Sequence, residues 1–95
     1  MSAIIDKAVE KLSARLSGGF DGIAKFVLEG EGAIMLDANG VRAADEEADV
    51  TLTASVATFQ AILEGNLNPA SAFMTGKLSV DGAMGVAMKL GSALS

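Results

Sequence analysis

The chain has 95 residues, seven Lys or Arg against twelve Asp or Glu, a formal net charge of −5, and no histidine, cysteine, tyrosine or tryptophan. Those absences remove the commonest general base, the commonest nitrogen ligand of zinc, every thiolate site and disulfide, and the phenolic acid. The basic residues are scattered singly, so the chain offers no footprint for a phosphate backbone and nucleic acid is not an expected partner.

The length fits one domain, residues 1–95, with a single core and little apolar surface to spare. No apolar run approaches the length of a bilayer span, and the N-terminus lacks the basic-then-apolar pattern of a secretion signal. The expectation is a soluble cytoplasmic protein without stable membrane insertion. Hydrophobic residues make up 51% of the chain, yet only four are aromatic, all Phe, beside five Met. That is a soft aliphatic interior, suited to ordinary packing or to a tolerant ligand pocket.

Ile5, Val9, Leu12 and Leu16 recur at helical spacing with charged residues between them, which predicts an amphipathic surface helix from Ser2 to Ser17, stopped by Gly18 and Gly19. From Ala24 the period becomes two. Ala24, Phe26 and Leu28 alternate with Lys25, Val27 and Glu29, and after Gly30–Gly32 the run Ala33–Leu36 resumes strand character, predicting a hairpin. Asn39 and Gly40 form a tight-turn pair that should fold Val41–Ala44 back on Ile34 and Leu36 as a third strand.

Asp45, Glu46, Glu47 and Asp49 are the one charge cluster, but the order DEEAD lacks the alternating oxygens and glycine turn of a calcium loop, so an exposed acidic turn is expected and no metal. Val50, Leu52 and Ala54 alternate with threonines as a fourth strand. Ser55 caps a helix whose apolar stripe is Val56, Phe59, Ile62 and Leu63, and Gly65 ends it. Asn68–Pro69 then starts a short helix, because Asn caps free N–H groups and proline fits the first helical position. Gly76 closes that turn, and Leu78 and Val80 read as a fifth, half-buried strand that delivers Phe73 and Met74 to a sheet edge.

The last segment, Ala83–Leu94, has Lys89 and Ser92 as its only polar residues, so it reads as a helix apolar nearly all round. A domain this small cannot cover such a helix on both sides. Gly85 and Gly91 weaken it by about 1 kcal/mol each relative to alanine. Its second face calls for a ligand, a partner subunit or a membrane.

In element order and residues the chain resembles the sterol carrier protein type-two domain. The resemblance is carried by Ala48–Gly82, ADVTLTASVATFQAILEGNLNPASAFMTGKLSVDG, with its acidic-Val-Thr strand, its Phe-bearing helix ending in Gly, and its Ala-Phe-Met-x-Gly-Lys-Leu turn into the last strand. The resemblance implies an α+β fold, a five-stranded, mainly antiparallel sheet with helices on one face, enclosing an apolar tunnel for fatty acids, acyl-CoA esters, sterols or other lipids. It implies a lining of Phe59, Ile62, Phe73, Met74 and Leu78, together with Met84, Met88 and Leu90 of the terminal helix. Two departures stand out: Gly32–Met35 lies where the family usually carries a tryptophan, and Ser92–Ser95 lacks the peroxisomal tripeptide of some members.

No cofactor is implied. Lys25, Lys77 and Lys89 could chemically form Schiff bases, but none has a recognisable partner arrangement, so the chain reads as non-catalytic. The competing reading is an interaction module in which Phe73, Met74, Met84 and Met88 pack together and the terminal helix forms a homodimer.

Overall fold

The computed structural model describes residues 3–94. Helix α1 spans Ala3–Arg15 and buries Ile5, Ala8 and Leu12. Leu16 is also buried just beyond it. The expected start at Ser2 lies outside the described residues. Strands β1 (Ala24–Leu28) and β2 (Gly32–Asp37) form the expected antiparallel hairpin, and β3 (Gly40–Ala43) pairs back on β2 with Leu36 opposite Val41 and Ile34 opposite Ala43.

The tight turn sits one residue earlier than Asn39–Gly40. Asp37 and Gly40 are the paired residues, the loop is Ala38–Asn39, and only Gly40 takes a positive φ, 113°. The Asp37 side chain explains the shift, since its Oδ1 accepts the Asn39 N–H at 2.9 Å and stabilises the loop from within.

Strand β4 (Val50–Ala54) does not extend the meander. It crosses back to pair in parallel with β1, and β5 (Leu78–Gly82) adds antiparallel at the edge, giving the order β3-β2-β1-β4-β5. The sheet is therefore mixed, with three antiparallel pairs and one parallel. Alternation assigns the faces. Ala24, Phe26 and Leu28 are in register with Ile34 and Leu36 on one side and with Val50, Leu52 and Ala54 on the other, and all eight are buried. This face carries the helices: α1 over β2 and β3, and α4 (Met84–Leu94) over β1, β4 and β5. Helix α2 (Val56–Leu63) packs on α1, and α3 (Pro69–Met74) fills the corner between β5 and α4.

The opposite face is covered differently. Met35 lies there with 1% exposure, flanked in register by Lys25 and Arg42. Lys25 pairs with Asp45 at 2.9 Å, while Arg42 pairs with Glu46 at 2.8 Å and Asp37 at 2.9 Å. The acidic connection from β3 to β4 is thus tied to this side of the sheet. It is exposed, as expected from DEEAD, but runs as an irregular connection rather than a turn, with Asp45 and Glu46 paired to the sheet.

Candidate ligand-binding site

A recess of about 350 Å³ opens between the sheet, α3 and α4. Its floor follows from strand register: Phe26 of β1, Leu52 of β4 and Val80 of β5 stand side by side, with Leu78 next along β5. Phe59 of α2 meets Phe26 edge-on with ring centroids 4.7 Å apart, fixing that part of the floor from the core side.

Helix α3 forms one wall with Pro69, Ala70 and Phe73. Six residues are too few for an autonomous helix, so local devices hold it. The Asn68 Oδ1 accepts the Ala70 N–H at 2.8 Å, and Pro69 occupies the first turn, where its missing N–H costs nothing. Ala72 is fully buried, and the Lys77 N–H returns to its carbonyl at 2.8 Å as the chain turns into β5.

Helix α4 forms the other wall with Met84, Ala87, Met88, Leu90, Gly91, Ser92 and Leu94. Its buried residues, Ala87, Leu90 and Leu94, make one stripe, whereas Met84 is 48% and Met88 70% exposed. Its own chain covers one side of this helix and leaves the other open. Both ends are tied. At the start, the Ala83 N–H reaches the Asp49 carbonyl at 2.8 Å; farther along, Lys89 meets the Asp21 carboxylate at 3.1 Å. At the end, Arg15 of α1 donates to the Leu94 carbonyl at 2.8 Å and to the Leu63 carbonyl of α2, serving two helix C-termini with one guanidinium.

No lining residue is charged, and Asn68 and Ser92 supply the only polar side chains. Such a surface holds a ligand by taking apolar area out of water. The lysines singled out earlier lie elsewhere: Lys25 is engaged with Asp45 and Lys89 with Asp21, and Lys77 is exposed at the start of β5. Among the described residues no group of three or more His, Cys, Asp or Glu is placed to hold a metal.

Of the eight residues implied as lining, Phe73, Leu78, Met84, Met88 and Leu90 border the recess. Phe59 and Ile62 belong to the packed core, and Met74 is 84% exposed outside the wall. Phe26, Leu52 and Val80 of the floor, with Ala87 and Leu94 of α4, join the lining without having been singled out. The strand alternation of Phe26, Leu52 and Val80 was visible, but the adjacency of β1 and β4 was not.

The model of the SCP-2 sterol transfer family matches residues 3–95. Sterol carrier protein 2 of Rattus norvegicus is 41% identical over 66 residues, covering 70% of this chain and 11% of that protein. The Homo sapiens protein of the same name is 50% identical over 46 residues, covering 48% of this chain and 8% of that one. The chain thus spans only about a tenth of the length of these curated relatives. The solution structure of sterol carrier protein 2 from Aedes aegypti in complex with palmitate superposes with a TM-score of 0.79 at 23% identity, over 100% of this chain and 97% of that one, a likeness of fold. With the family match extending from α1 through α4, this chain belongs to the SCP-2 sterol transfer family.

Proposed function

We propose that this chain is a single, non-catalytic lipid-binding unit that holds the apolar part of a fatty acid, acyl-CoA, sterol or isoprenoid-like ligand in the recess and carries it through the cytoplasm. The observation that carries the reading is the uncharged recess of about 350 Å³ beside an incompletely covered helix. Each methylene removed from water contributes roughly 0.8 kcal/mol, so about ten buried methylenes offer some 8 kcal/mol before association and ordering costs. A palmitate-bound relative of the same fold supports the choice of ligand class.

Helix α4 is the proposed gate. A sealed dry void of this size would cost on the order of 8 kcal/mol at the rate of mutational cavities, comparable to the whole stability of a small domain. The recess avoids that cost by opening to solvent past Phe73 and Met88. In this proposal α4 stays tied at Ala83 and Leu94 while the segment between Gly85 and Gly91 moves inward over an empty recess and outward over lipid. Native mass spectrometry of the purified protein tests carriage directly, with co-purifying lipid expected. A protein that stays empty and takes up neither palmitate nor a sterol contradicts it.

The exposed Met84 and Met88 favour a second reading, self-association through α4 with no cargo. Sedimentation separates the two, because a lipid-free dimer that excludes apolar dyes supports the interaction module.

A further inference from the structure

We infer that the paired rings of Phe26 and Phe59 are the end wall of the recess, and that Phe59 sets the longest hydrocarbon chain the recess accepts. The inference deepens the proposed function and rests on that reading. Phe26 lines the recess, whereas Phe59 lines a second, smaller cleft of about 40 Å³. The two rings meet edge-on with centroids 4.7 Å apart, and each residue is only 1% exposed. The way from one cavity to the other therefore runs through these two side chains.

The other boundaries of the recess are strands of the sheet below and the helices α3 and α4 beside it, and moving them disturbs hydrogen-bonded main chain. An aromatic partition changes with a side chain alone. Its position is set by α2, which Ser55 caps at one end and Arg15 holds at the other. The Arg15 guanidinium donates to the carbonyl of Leu63, a residue of the cleft, and to that of Leu94, a residue of the recess, so the two cavities are fixed relative to each other. Behind the wall the cleft is built by Ala8 of α1, Leu28 of β1 and Leu63 of α2, with Lys7 and Lys11 beside them bringing aliphatic stems as well as charge. Such a cleft suits the end of a hydrocarbon chain.

A series of saturated fatty acids from about ten to about twenty-two carbons, titrated against the displacement of an apolar dye, reads the wall directly. In the wild type, affinity should rise about fourfold with each buried methylene and stop rising at the length that reaches Phe26. Leucine is smaller than phenylalanine by roughly three carbons, so Phe59→Leu should leave the short-chain part of the curve in place and extend the rise by about two methylenes, a gain of about tenfold for the longest chains. Ala8→Met added to Phe59→Leu fills the cleft from α1 and should return the plateau to its wild-type length. Circular dichroism checks that each variant is folded, and Phe59→Met, whose flexible side chain can bend out of the path, serves in place of a Phe59→Leu that does not fold.

A plateau at the same length in wild type and Phe59 variant would overturn the end wall. A parallel loss of affinity at every length would do so too, because it marks Phe59 as packing alone. A longer plateau that Ala8→Met does not reverse places the added room elsewhere and overturns the role of the cleft. Wild-type binding of short chains with any of these results leaves carriage standing and removes only this inference; a wild type that binds no chain of any length removes the proposed function, and this inference with it.

Discussion

At the scale of single residues, polar side chains fix positions that apolar packing leaves loose. The Arg42 guanidinium, bonded to Asp37, holds the Asp37 carboxyl below the usual carboxylate range, and the Asn39 N–H reinforces it. Asp37 and Glu46 in turn raise Arg42 above its ordinary value. A carboxyl lowered in the folded state adds stability that is fully present above its unfolded pKa and is lost as pH falls through its folded one. The stability gap between the wild type and Arg42→Met should therefore be full at neutral pH and narrow progressively below about pH 4, as acid titrations followed by circular dichroism would show. A gap that widens in acid contradicts this account. The cap of α3 is a second such position. Asn68→Ala removes the acceptor for the Ala70 N–H and should cost about 1 kcal/mol in urea unfolding, whereas Asn68→Asp should retain most of the stability.

At the scale of elements, α4 is the segment whose composition and surroundings disagree most. Ala87, Leu90 and Leu94 satisfy the sheet, while Met84 and Met88, one turn apart, are left half or more exposed. Gly85 has open space where a side chain would begin, so Gly85→Ala should stabilise the helix by about 1 kcal/mol. If α4 moves to admit cargo, the same change should also slow ligand uptake, read by stopped-flow fluorescence of an apolar dye. Faster or unchanged uptake in a more stable variant argues against a moving α4.

The apolar excess of Ala83–Leu94 was legible from residue types alone, as were the Asn68–Pro69 start and the Ser55 cap, whose hydroxyl accepts the Thr58 N–H at 3.1 Å. The burial of Met35 was not, because it depends on Lys25 and Arg42 flanking it in register and on an acidic connection paired to both. Nor was the floor of the recess. Phe26 and Leu52 meet only through the parallel β1–β4 pairing, a long-range choice that local alternation does not encode. Phe59 and Ile62 carry the right residue types for a lining, but α2 directs them into the core.

At the scale of the whole molecule, the five strands and four helices of the described residues place one apolar face under cover and leave its corner at β5, α3 and α4 unfilled. Helix α4, one wall of that corner, is fastened by Arg15 at one end and by the Asp49 carbonyl at the other. Gly82 makes the second fastening sterically possible, since a side chain there would collide with the Asp49 carbonyl. Gly82→Ala should accordingly destabilise the fold in thermal melts by more than the ordinary cost of a surface substitution. The central claim is that the unfilled corner is a site for lipid, and a thermal melt with and without palmitate tests it most directly. At about a hundredfold excess over the dissociation constant, binding to the native state alone should raise the melting temperature by about 10 °C or more. A melting temperature unmoved by saturating palmitate and by a saturating sterol alike would contradict the account.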